Sequence, residues 1–141
     1  MSGANPVWDR ARSPVVLVVE DEAIIRMILA EELEDAGFAV VEAGSADAAV
    51  AAFAGRSDIG VVVTDVRMPG SMDGIGLARW MREHASAVPI IITSGFAIQP
   101  DAAAINPAIA RVVAKPYVGR DIAEWVAALV GGAGTTEGAR R

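Results

Sequence analysis

The sequence contains no cysteine, which excludes a disulfide framework, a thiol nucleophile and thiolate-held zinc or iron–sulfur centres. It has one histidine, His84, so no site that needs two imidazoles can form within the chain. Aromatic residues are only 5% of it, and the 12 Lys and Arg are scattered and outnumbered by 18 Asp and Glu, for a net charge of −6. A nucleic-acid binder carries a basic patch or stripe instead. No apolar run approaches the roughly 20 residues that span a bilayer, and Met1 to Arg10 lacks the apolar core of a signal peptide. The expectation is no nucleic acid, no membrane and a cytoplasmic location. Core material is plentiful: 141 residues, 53% hydrophobic and 21% charged. That is about one domain's length, enough to bury about two thirds of the unfolded surface.

Short apolar runs alternate with longer helical patterns. Val15 to Val19 is a run rich in β-branched residues that suits a strand buried on both faces of a parallel sheet. From Glu22 to Ala36 the apolar spacing becomes helical, with Ile25, Ile28, Leu29 and Leu33 on one face and Gly37 at the C-cap. Phe38 to Glu42 reads as a strand, and Ser45 caps an alanine-rich helix running to Ala54. Ile59 to Thr64 is a third strand, ending at Asp65, and a turn rich in Met, Pro and Gly follows. Ile75 to His84 makes a helix with Leu77, Trp80 and Met81 on one side. Pro89 to Thr93 is a fourth strand, Pro100 to Ile105 a short helix and Arg111 to Ala114 a fifth strand. Arg120 to Val130 closes with a helix burying Ile122, Val126 and Leu129. Five strand–helix units predict a doubly wound, five-stranded parallel α/β domain, (βα)5, over residues 14–130. Residues 1–13 and 131–141 read as flexible tails.

In such sheets, ligands meet the carboxyl ends of the strands. Glu20, Asp21 and Glu22 follow the first strand, Asp65 the third, Thr93 and Ser94 the fourth and Lys115 the fifth. Alone, each has a plain reading: an Asp after a strand caps a turn, a Thr favours strands and a Lys sits at the surface. His84 near a helix end suits the helix dipole, and Trp80 and Trp125 read as packing residues. Together, carboxylates converging on one rim raise a pKa or recruit a cation. Carboxylates with waters and phosphate oxygens form a typical Mg²⁺ shell. Asp65 beside Mg²⁺ and a lysine is a plausible nucleophile toward phosphorus.

Four segments carry a resemblance: Val-Leu-Val-Val-Glu-Asp-Glu around Asp21, Thr-Asp-Val-Arg-Met-Pro-Gly around Asp65, Ile-Ile-Ile-Thr-Ser-Gly around Thr93, and Ala-Lys-Pro-Tyr around Lys115. In this order, each ending a strand, they resemble the receiver domain of two-component response regulators over residues 14–130. The resemblance implies the flavodoxin-like receiver fold and a phosphoacceptor at Asp65. It implies Mg²⁺ on Asp21, Asp65 and the backbone carbonyl of Arg67, with Glu20 acting through water. Thr93 and Lys115 would bind the phosphoryl group, and Lys115–Pro116 would be a cis peptide, which costs about 0.5–1 kcal/mol before proline. The implied donor is a sensor histidine kinase or histidine phosphotransfer protein. The implied output is contact with a downstream effector protein, or homodimerisation, through the fourth helix, fifth strand and fifth helix, where Ile105, Ile109, Val112 and Trp125 lie.

Three features depart from the family pattern. Val112 stands where an aromatic switch residue is usual, leaving Ser94, Phe96 and Val112 as switch candidates. Phe96, just after Thr93-Ser94-Gly95, resembles an atypical receiver subgroup. The loop after Asp65 is one residue longer than usual, and Arg67 sits beside the phosphoryl position. The expected protein is a single-domain response regulator that signals or serves as a phosphorelay intermediate or sink. It is not an enzyme in its own right beyond accepting and slowly losing the phosphoryl group. A receiver acting as a phosphorylation-independent binding module is the alternative. A haloacid dehalogenase phosphatase would need a second Asp where Arg67 stands. A flavodoxin-like carrier would need a phosphate cradle where Glu20, Asp21 and Glu22 would repel one.

Overall fold

The computed structural model describes residues 14–68, 70–95 and 101–131. Strands β1 (Val15–Val19), β2 (Ala39–Ala43), β3 (Ile59–Asp65), β4 (Ile90–Ser94) and β5 (Ile109–Ala114) alternate with helices α1 (Ala23–Asp35), α2 (Ala46–Gly55), α3 (Gly74–His84), α4 (Ala102–Ile105) and α5 (Gly119–Val126). The strands form one parallel sheet in the order β2-β1-β3-β4-β5. The doubly wound α/β architecture expected from the sequence is the one observed.

β1 is buried along its whole length, because side chains of alternating direction both meet helices. Val16 and Val18 pack with Leu29, Leu33, Ile122 and Val126 of α1 and α5. Leu17 and Val19 pack with Ala49, Leu77 and Met81 of α2 and α3. Each such side chain taken fully out of water contributes about 1.5–3 kcal/mol. This two-sided burial fixes the sheet as a rigid base, and its carboxyl edge carries the polar groups.

Local chemistry sets the helix ends. Ser45 Oγ accepts from Ala48 N at 3.0 Å at the start of α2, and Asp73 Oδ1 accepts from Gly76 N at 2.9 Å at the start of α3; such caps are worth about 1 kcal/mol. After α1, Gly37 takes a φ of 103°, so that Phe38 N can reach back to the Leu33 carbonyl at 3.1 Å. A side chain is strained in that left-handed conformation.

The structure moves several expected boundaries. Glu22 is the N-cap of α1, β5 begins at Ile109 rather than Arg111, and α4 begins at Ala102. α5 is α-helical only from Gly119 to Val126 and then widens into a π turn, Ala127–Gly131; Leu129, expected in the helix, packs from that turn. Ile28, expected on the buried face of α1, is 61% exposed, because Leu29, Ala30 and Leu33 fill the contact with the sheet. Ile105, expected on an output surface, is buried in the core under α3. His84 stacks on Trp80 at 4.5 Å between ring centroids and donates from Nδ1 to the Trp80 carbonyl, a packing role. Phe96 and the two expected tails, apart from Gly131, lie outside the described residues.

Candidate functional site at the carboxyl edge of the sheet

Strand register assembles the site. β1 hands its chain to Glu20, whose N–H still bonds to the Ala43 carbonyl of β2 at 3.1 Å. In β3, Asp65 lies in register with Thr93 of β4, and Val66 N bonds to the Thr93 carbonyl at 2.9 Å. In turn, Lys115 N bonds to the Ser94 carbonyl at 2.8 Å, tying the end of β4 to the end of β5. The Lys115–Pro116 peptide is cis. Glu20, Asp65, Thr93 and Ser94 are all buried, and Asp21 is exposed at the rim.

Lys115 joins the strand ends electrostatically. Its Nζ lies 2.9 Å from Asp65 Oδ2 and 3.4 Å from Glu20 Oε1. Burial works against the ammonium, but the hydrogen bond and charge of Asp65, with Glu20 behind it, outweigh burial and hold the Lys115 pKa above its ordinary value. Lys115 is therefore a fixed cation at neutral pH. Glu20 is pushed the other way: burial raises its pKa, and Asp65 and Asp21 add to the rise. The Glu22 N–H, which donates to Glu20 Oε2 at 3.1 Å, and Lys115 offset part of it. Tyr117, half-buried two residues beyond Lys115, is raised by burial as well.

Glu20, Asp21 and Asp65 each present a carboxylate oxygen, and the three lie within 4.8 Å of one another. Two like charges at 4 Å cost about 4 kcal/mol at an effective dielectric near 20. Three carboxylates against one lysine leave two negative charges, so the cluster suits a divalent cation. All its side-chain donors are oxygens, which suits a hard ion such as Mg²⁺ over a soft one. These residues therefore fit Mg²⁺.

The loop after β3 is held from both sides. Ser71 Oγ donates to Asp47 of α2 at 3.1 Å, and Gly74 N bonds to the Val66 carbonyl at 2.8 Å. A Cβ on Gly74 would overlap the Asp65 carbonyl oxygen, so α3 starts directly against the backbone of Asp65.

A model of the response regulator receiver domain family matches residues 16–127. This chain belongs to that family. The receiver domain is 34% identical over 106 residues to the C4-dicarboxylate transport transcriptional regulatory protein DctD of Rhizobium meliloti, covering 74% of this chain and 23% of DctD. It is 42% identical over 80 residues to the transcriptional regulatory protein FixJ of Bradyrhizobium diazoefficiens, covering 57% of this chain and 38% of FixJ. The chain thus spans well under half the length of either relative. Among solved structures it is similar to response regulator TrrA of Thermotoga maritima in complex with Mg²⁺–BeF, with a TM-score of 0.73 and 26% identity over 83% of this chain and 99% of that one.

Arg67 is exposed in the loop two residues past Asp65. Val112 is half-buried in β5, in register with Ile92 rather than Thr93. Trp125 is half-buried, with the Arg111 guanidinium 4.4 Å from its ring centroid, while Phe96 again lies outside the described residues. Sequence reasoning missed the backing role of Gly74, the Glu22 N–H donor to Glu20, and Arg26. Arg26 Nη1 donates to the Glu20 carbonyl at 2.8 Å, and its Nε donates to Glu42 at 3.1 Å. The loop that leads to Gly74 was visible as one residue longer than usual; Arg26 left no signal in the periodicity of its helix.

Proposed function

We propose that this receiver domain accepts a phosphoryl group on Asp65, in the presence of Mg²⁺, from a sensor histidine kinase or a histidine phosphotransfer protein. The observation that carries the reading is one cluster: a buried aspartate bonded to a fixed lysine, with two further acids within 4.8 Å. Asp21 and Asp65 would hold Mg²⁺ directly with the Arg67 carbonyl, and Glu20 would hold it through water. The bound ion supplies charge neutralisation for the phosphoryl oxygens during transfer.

With Lys115 on Oδ2, the other Asp65 oxygen attacks phosphorus. The P–N bond of the donor phosphohistidine breaks and its electron pair leaves with the imidazole nitrogen, so an acyl phosphate forms on Asp65. Lys115 then pairs with a phosphoryl oxygen, and the Thr93 hydroxyl donates to another. Phosphorylation adds about −1.5 to −2 charges and three strong acceptors beside these two residues. Their bonds bias an existing equilibrium between two surface shapes. Because the Ser94 carbonyl holds Lys115 N, an inward shift of Thr93 and Ser94 draws on β5 and its Val112.

Among the described residues, the exposed large apolar side chains Ile24, Met27, Ile28 and Val118 lie on α1 and in the β5–α5 connection. A cleft of about 510 Å³, lined by Ile28 of α1 and by Lys115 and Tyr117 at the end of β5, opens nearby. An apolar surface opening beside the lysine that holds Asp65 suits a protein donor that must bring its imidazole to that carboxylate. Output would pass through the α4–β5–α5 side, with Ile109, Val112 and Trp125, to an effector protein or a second copy.

The reading is tested by intact-mass spectrometry after incubation with a small acyl phosphate, with and without Mg²⁺, beside Asp65→Asn. One phosphoryl adduct on the wild type with Mg²⁺ alone is expected. An adduct that persists in Asp65→Asn would refute the assignment, and no adduct from either the small donor or a kinase would favour a phosphorylation-independent binding module.

A further inference from the structure

Arg26 reaches the site from beneath. It sits one turn into α1, its own N–H bonds to the Glu22 carbonyl at 2.9 Å, and its side chain is 20% exposed. Nη1 donates to the backbone carbonyl of Glu20 at 2.8 Å, and Nε donates to Glu42 Oε1, at the end of β2, at 3.1 Å. Glu42 is in turn fixed by the β1–β2 register, opposite Val18. Gly44 leaves room for the guanidinium, since a Cβ there would lie 3.3 Å from Nη1. One side chain therefore clamps the turn Glu20-Asp21-Glu22 to the end of β2. This turn carries two of the three clustered carboxylates, and like charges in succession would otherwise splay it.

We propose that Arg26 is a positioning residue for the divalent cation: it holds the β1–α1 turn so that Glu20 and Asp21 face Asp65. The proposal rests on the Mg²⁺ site put forward above. Arginine suits the task because its planar fork meets two acceptors at once, whereas a lysine ammonium offers charge without that geometry. Groups that orient metal ligands from behind typically change affinity by about 10- to 100-fold when removed.

Charge and position make opposite forecasts here. Removing a cation near an acidic cluster strengthens its attraction for Mg²⁺; removing a clamp weakens it. The test is calorimetric titration of the full chain with Mg²⁺ for wild type, Arg26→Gln and Arg26→Lys, followed by acyl phosphate labelling rates at saturating Mg²⁺. Both variants are expected to bind Mg²⁺ more weakly, Arg26→Gln by about tenfold or more, with saturated rates within about twofold of wild type. Arg26→Gln binding as tightly as wild type or tighter, or Arg26→Lys matching wild type, would overturn the positioning role. So would unchanged affinity with a slowed saturated rate. If Arg26→Gln does not fold, Arg26→Lys decides by the same criterion. A wild-type protein that binds no Mg²⁺ would remove the metal site itself, and the positioning role with it.

Discussion

Glu20 and Lys115 show how burial sets chemistry residue by residue. Burial raises the Glu20 pKa, so the folded protein holds a proton there more tightly than the unfolded chain. The charged form then costs stability at neutral pH, and that cost fades as pH falls through the raised value toward the ordinary 4.5. In metal-free protein, Glu20→Gln is expected to raise the thermal midpoint at neutral pH. The gain should shrink steadily on acidification and vanish below 4.5; a gain independent of pH would contradict the burial argument. Gly74 is the second residue-scale case. Its missing side chain is what lets α3 abut the Asp65 carbonyl, so Gly74→Ala must push that backbone. The expected cost is about 1–3 kcal/mol, as for an overpacked core, read as a lower urea midpoint with an unchanged slope. Acyl phosphate labelling should slow together with it.

At the scale of elements, the strands were legible because β-branched runs of five to seven residues leave little else for the chain to do. The polar residues that end four of them were legible too: Glu20, Asp21, Asp65, Thr93 and Lys115 stand at the ends of β1, β3, β4 and β5 in one repeating βα pattern, and parallel pairing gathers such ends on one edge. What the periodicity could not show is where a neighbour stops. The α1 spacing places Ile28 with Leu29, but the sheet covers only the Leu29 side, so Ile28 faces outward. Likewise Arg26 works through partners six and sixteen residues away, a relation that exists only once β2 lies beside β1. The widening of α5 at Ala127 has no marker in an apolar stretch of Ala, Leu and Val. The exposed side of α1 makes its own prediction. Ile28→Glu and Met27→Glu should change stability by no more than about 0.5 kcal/mol, as surface substitutions do. They should slow transfer from a phosphorylated histidine protein while leaving labelling by a small acyl phosphate unchanged. Equal slowing with both donors would place the defect in the site rather than the docking face.

For the whole molecule, the proposed Mg²⁺ site at the carboxyl edge would couple folding stability to ligand binding. Three acids face one lysine, so a divalent cation that binds only the folded state should stabilise it, by about 2.7 kcal/mol at a hundred times its dissociation constant. The thermal midpoint should rise with Mg²⁺, fall back on chelation, and respond much less in Asp21→Asn. The described residues form one doubly wound sheet with no helix long and apolar enough to cross a membrane. The chain spans 23% of DctD and 38% of FixJ. The proposed switching comes down to one bond, an acyl phosphate at Asp65. Borohydride reduces an acyl phosphate to an alcohol, so labelling with acyl phosphate and Mg²⁺, reduction and peptide mapping will show where the bond formed. Conversion of position 65 alone to homoserine, only in labelled protein, is the predicted result. Reduction at Glu20 or Asp21, or none anywhere in protein that carries the phosphoryl mass, would contradict it.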